Sequence, residues 1–213
     1  MYDIGIIQPI GRFPKLAYCY LDIINDNDCC FLTPSIISSS LKNSSIPYLD
    51  CTLNQLIYLI KYIPNLQSLN IRIVDHSTIL QIPTIIFLSI KNLKVFFFGT
   101  LHSMKNLLRT MSNLEKLKIE IESTYIDGYQ WETMIENYLL NLIMFQFKMS
   151  TSLSSNQQNE EQKIDEILNS FRSHFWIEKH QWFVQCYWIL ADTSSIIHVY
   201  TLPYAFSDFL LHR

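Results

Sequence analysis

The chain has 213 residues, enough for one domain or a short repeat array with a substantial core. Apolar residues make up 49% and charged residues only 16%, which excludes disorder of the whole chain. Net charge is −3 with Lys and Arg scattered among acidic neighbours, so no basic stripe points to nucleic acid.

In chain order, a strand-like phrase recurs six times. Two weaker copies come first, Leu16-x-x-Cys19-x-Leu21-x-Ile23 and Ile46-x-x-Leu49-x-Cys51-x-Leu53. Four stronger ones follow: Asn65-Leu66-x-x-Leu69-x-Ile71-x-Ile73, Asn92-Leu93-x-x-Phe96-x-Phe98, Asn113-Leu114-x-x-Leu117-x-Ile119-x-Ile121 and Asn141-Leu142-x-x-Phe145-x-Phe147-x-Met149. Their leading residues, 16, 46, 66, 93, 114 and 142, are spaced in or beside the range of leucine-rich repeats, roughly 20 to 29 residues. Alternation puts Leu69, Ile71 and Ile73 on one strand face.

Between the phrases the period becomes helical. Leu53, Leu56, Ile57 and Ile60 share a stripe, as do Met104, Leu107, Leu108 and Met111. Trp131, Met134, Ile135, Tyr138 and Leu139 form a third, and Ile164, Ile167, Leu168 and Phe171 a fourth. Asp127 with Gln130 reads as a capping box opening the third helix. Strand, loop, helix and strand in succession predict parallel strands joined by right-handed crossovers, and units that must stack to bury both layers. In LxxLxLxxN repeats an Asn follows the last Leu by three residues, but Val74, Glu122 and Ser150 stand at those positions here. The expected fold is α/β: an irregular leucine-rich-repeat-like solenoid, or a curved α/β sheet closed from it, with parallel strands, outer helices and a C-terminal β cap.

Residues 1–149 are expected to hold the repeat strands and helices, and residues 150–163 a polar loop. Residues 164–213 would add a last helix and a β segment on the same array. "FWIEKHQWFVQCYWIL" and "SIIHVYTLPY" are dense in β-favouring residues and predict a terminal hairpin that protects the last strand edge.

The repeat phrases, with "YIDGYQWE" (125–132), "EKHQWFVQC" (178–186) and "HVYTLPYAF" (198–206), resemble a divergent F-box/leucine-rich-repeat-like family. The resemblance covers the repeat part, from about residue 40 onward. It implies repeats that select a target protein, and an F-box that docks to the adaptor of a ubiquitin ligase. Residues 1–50 carry strand-like and Ser/Asn-rich sequence punctuated by Pro9, Pro14, Pro34 and Pro47, and no F-box is evident there. The chain is therefore read as a fragment, a truncated gene model or a repeat-only relative, with adaptor docking in doubt.

Catalytic, cofactor-binding and metal-binding residues are not expected. The chain has neither GxGxxG nor GxxxxGK[ST], and no G-x-S-x-G elbow. His174, Glu178, His180 and Cys186 lack the close paired spacing of a zinc site, and the vicinal Cys29-Cys30 reads as a turn. Five cysteines without a CxxC, a chain start unlike a secretory signal and no apolar run of membrane-spanning length predict a soluble cytoplasmic or nuclear protein.

The expected function is a non-enzymatic protein–protein interaction scaffold. A folded fragment without ligase role and an enzyme of unrecognised class are the alternatives. Side chains between the buried ones would line a concave face that binds a protein partner of unknown identity. The first expected row is Tyr20, Asp50, Asn70, Phe97, Lys118 and Gln146, and the second is Asp22, Thr52, Arg72, Glu120 and Lys148.

Overall fold

Each strand phrase needs backbone partners along its edges and a cover for its apolar face, and repetition supplies both. The computed structural model describes residues 18–20, 42–75, 86–122, 124–154, 160–190 and 194–206. The elements are β1 (Tyr18–Tyr20), β2 (Asn43–Cys51), α1 (Leu53–Tyr62), β3 (Ser68–Asp75), β4 (Asn92–Gly99), α2 (Leu101–Arg109), β5 (Lys116–Glu122), α3 (Gly128–Tyr138), β6 (Met144–Ser154), α4 (Glu160–Ser170), a π-helical turn (Phe175–Lys179), β7 (Val184–Leu190) and β8 (Ser194–Thr201). The strands form one open sheet in the order β1-β2-β3-β4-β5-β6-β8-β7. β1 through β6 pair in parallel, and β8 then joins β6 and β7 antiparallel. The fold is α/β with a mostly parallel sheet, and the sheet does not close on itself.

Parallel pairing sets like residues side by side. Leu69, Leu93, Leu117 and Phe145 form one buried row, Ile71, Val95, Ile119 and Phe147 a second, and Ile73, Phe97, Ile121 and Met149 a third. The apolar stripes of α1 to α4 join these rows in one core cluster. A ladder of main-chain bonds repeats at the strand entrances: the amides of Gln67, Lys91, Glu115 and Ile143 donate to the carbonyls of Lys42, Gln67, Lys91 and Glu115 at 2.7–2.9 Å. The helices start where side chains can cap them. Thr52 with Gln55 and Asp127 with Gln130 form capping boxes on α1 and α3, and Thr100 accepts from the Ser103 amide on α2.

β4 corrects one expectation. Its repeat phrase is Ile90-x-x-Leu93-x-Val95-x-Phe97, one strand phase away from Asn92-Leu93-x-x-Phe96-x-Phe98. Three consecutive phenylalanines at 96–98 satisfy either phase. The neighbours decide, because Leu93 stands between Leu69 and Leu117, and Ile90 is fully buried just before the strand, as Leu66 and Leu114 are before theirs.

The stretch 150–163 is more regular at its ends than a polar loop. β6 continues to Ser154, held by β8 from Lys148↔Tyr200 to Ser154↔Ser194, and α4 opens at Glu160. The expected terminal hairpin is β7–β8, but β7 begins only at Val184, and Phe175–Lys179, expected as strand, form the π-helical turn instead. Behind the hairpin, Trp131, Phe145, Phe147, Phe171, Trp176 and Trp182 make one aromatic hub, with ring centroids 4.8–6.2 Å apart in the contacting pairs.

Candidate partner-binding face

With the helices on one side, the alternate strand residues form the open face on the other. The row nearest the strand entrances is Asn43, Ser68, Asn92, Lys116 and Met144. Next come Tyr20, Ser45, Asn70, Lys94, Lys118 and Gln146. The third row is Asp50, Arg72, Phe96, Glu120, Lys148 and Tyr200, and the fourth is Val74, Phe98, Glu122, Ser150 and His198.

Asn70, Lys118 and Gln146 therefore share a row as expected, and Arg72, Glu120 and Lys148 share the next. Tyr20 falls in register with Ser45, while its side chain and all of Asp22 lie outside the described residues. Asp50 sits one row farther on than expected, because an irregularity in β2 between Ile46 and Asp50 shifts the pairing. Its carboxylate meets the Arg72 Nε at 3.0 Å. Thr52 leaves the face to cap α1. Phe97 is not on the face at all: it is 1% exposed in the core, and Phe96 takes the outward place beneath the Arg72 guanidinium, 4.7 Å from the ring centroid.

The third row is electrically balanced. Asp50 pairs with Arg72, and Glu120 pairs with Lys148 at 2.9 Å, the lysine being nearly buried. In the first two rows, Asn70 and Asn92 donate to the Ser45 and Ser68 hydroxyls of the preceding strand, each at 3.0 Å. This amide–hydroxyl ladder replaces the Asn ladder that Val74, Glu122 and Ser150 do not provide. The signal for it was Asn or Ser at residues 45, 68, 70 and 92, legible only once the pairing is known. A shallow cavity of about 430 Å³ opens over these rows, lined by residues including Lys94, Lys116 and Lys118.

The C-terminal segment turns back over the face as far as Lys118, beside the same cavity. Tyr204 packs edge-on against Tyr200, the Ala205 carbonyl accepts a bond from the Lys118 ammonium, and the Phe206 ring lies 4.8 Å from that ammonium. Burial, and then the nearby Lys94 charge, lower the pKa of Lys118, while Glu120 opposes them.

The chain matches no family model, no curated protein and no solved structure.

The remaining polar groups fall into separate places. Ser150 Oγ lies 2.9 Å from His198 Nδ1, with Tyr187 stacked on the imidazole. His174 pairs with Glu178 on the surface, whereas His180 stacks on Trp182 with centroids 4.2 Å apart. Burial pushes the Cys51 thiol to about 12 and the Cys186 thiol to about 11, which leaves both protonated at neutral pH. Among the described residues, no three His, Cys, Asp or Glu side chains gather as a metal site, and no helix is long and apolar enough to cross a membrane. Cys29-Cys30 lies outside the described residues.

Proposed function

We propose that the chain is a non-enzymatic protein-binding scaffold, an irregular leucine-rich-repeat-like solenoid whose open sheet face receives the partner. The observation that carries this reading is the face itself. Five neighbouring parallel strands, β2 to β6, present rows of amide, hydroxyl, aromatic and oppositely charged side chains, while the helices pack on the other side. A surface of this mixture suits protein recognition. The successive units, with helices sharing one core and bonds repeating at each strand entrance, support the solenoid interpretation. The resemblance to F-box/leucine-rich-repeat-like proteins extends it to target selection for a ubiquitin-ligase adaptor, the adaptor contact being made by an F-box outside these repeats. Cytoplasm or nucleus would be its compartment.

Affinity capture with the whole chain, quantified by mass spectrometry, tests the reading against a Phe96→Glu variant whose circular dichroism is unchanged. Partners retained by the wild type and depleted by the variant are the expected result. Capture that ignores Phe96→Glu would overturn the open face as the binding surface.

A further inference from the structure

Three lysines, Lys94, Lys116 and Lys118, converge on the cavity over the first two rows of the open face. They come from two adjacent strands, with Lys94 directly beside Lys118 and Lys116 two residues before it. Lys94 and Lys116 have no carboxylate partner among the described residues, and Lys118 donates to a backbone carbonyl. In the third row the charges pair, Asp50 with Arg72 and Glu120 with Lys148. The same cavity is lined by Leu69, Leu93, Leu117 and Met144 together with Asn43, Asn70, Asn92 and Gln146; Asn70 and Asn92 each use one N–H on a serine hydroxyl and keep a second N–H and an oxygen.

We propose that this cavity binds an acidic segment of a protein partner, its carboxylates seated on Lys94 and Lys116 and its backbone on the flanking amides. The carboxylates relieve the mutual repulsion of lysines held side by side. Among the residues lining the cavity, Lys94, Lys116 and Met144 are exposed and so within reach of an extended peptide. A nucleic acid fits less well. Its continuous phosphate chain would run from three lysines onto Asp50, Glu120 and Glu122, and the chain as a whole carries a net charge of −3.

The proposal rests on the open face being the partner surface and names its ligand chemistry. Fluorescence anisotropy of the full chain with a labelled peptide of alternating Glu and Ala is the direct test. A Lys–Ala peptide and a short single-stranded RNA of similar length are run beside it. Saturable binding of the Glu–Ala peptide is expected, weakened about tenfold or more in the double variant Lys94→Glu, Lys116→Glu. Lys61→Glu, on the exposed side of α1, should leave it unchanged. Thermal melts establish that the double variant folds, and Lys94→Gln with Lys116→Gln provides a milder second version. Absent Glu–Ala binding, equal binding by the lysine variants, or tighter binding of the RNA would each overturn the proposal. Protein capture that depends on Phe96 but not on the lysines would leave the scaffold standing and remove the acidic partner.

Discussion

Phe96 and Phe97 are neighbours in sequence and lie on opposite sides of the sheet. Phe97 fills the core between Ile73 and Ile121, and Phe96 sits half-buried on the open face under Arg72. Truncation should separate the two roles. Phe97→Ala removes a buried ring and should cost about 3–5 kcal/mol of stability, whereas Phe96→Ala loses a partly solvated cation–π contact worth about 0.5–1 kcal/mol. Urea unfolding midpoints of the two variants measure the difference. Equal midpoints would place both rings in comparable surroundings and refute the strand phase. The run Phe96-Phe97-Phe98 hid this assignment because periodicity cannot choose between faces when every position is apolar. Leu69-Asn70-Ile71-Arg72-Ile73 and Leu117-Lys118-Ile119-Glu120-Ile121 alternate cleanly, so Asn70, Arg72, Lys118 and Glu120 were legible as outward-facing residues.

At the scale of elements, the four helices were readable from their apolar stripes, and α3 also from its capping box, because both are encoded within a few residues; the Thr52 and Thr100 caps were not. What pairs across long separations was not. The irregularity in β2 that moves Asp50 beside Arg72, the amide–hydroxyl ladder and the Ser/Thr-rich end of β6 all depend on a neighbouring strand. The junction of α3 with α4 is another such contact. The Gly128 amide donates to Ser170 Oγ at 2.8 Å, and the Trp176 indole donates to the Gly128 carbonyl at 3.2 Å. A Cβ on Gly128 would meet the Ser170 carbonyl oxygen at 2.1 Å, far inside contact distance. Alanine normally favours a helix over glycine by up to about 1 kcal/mol. Here the two helices would have to part, so Gly128→Ala should instead destabilise by about 1–3 kcal/mol. Replacing the adjacent exposed Tyr129 by Ala is the control, with a shift of about 0.5 kcal/mol or less. A Gly128→Ala chain that melts at or above the wild-type temperature would show that α3 and α4 are not seated this closely.

Across the whole molecule, the question is how a stack of parallel units ends. Every added β–α unit buries the preceding strand edge and exposes a new one, so repetition alone leaves an unpaired row of backbone groups. The chain departs from repetition after α4. Instead of another parallel strand it returns through the aromatic-rich turn as an antiparallel pair, with β8 covering β6 over seven residue pairs and β7 becoming the outer strand. The exchange covers β6 from Lys148 to Ser154 and leaves the seven-residue β7 at the edge. It also brings Val199, beside Met149, and Ile197, beside Thr151, into the core. Removing residues from Val184 onward should therefore do more than lower stability. It would bare β6 from Lys148 to Ser154, strip Tyr200 and the Tyr204–Phe206 segment from the open face, and give each molecule an edge able to pair with a second copy. Analytical ultracentrifugation of the truncated chain should show concentration-dependent association where the full chain shows less, with light scattering rising on the same scale. A truncated chain that stays monomeric with its far-UV spectrum intact would mean that β6 needs no cover, and that the hairpin serves the open face alone.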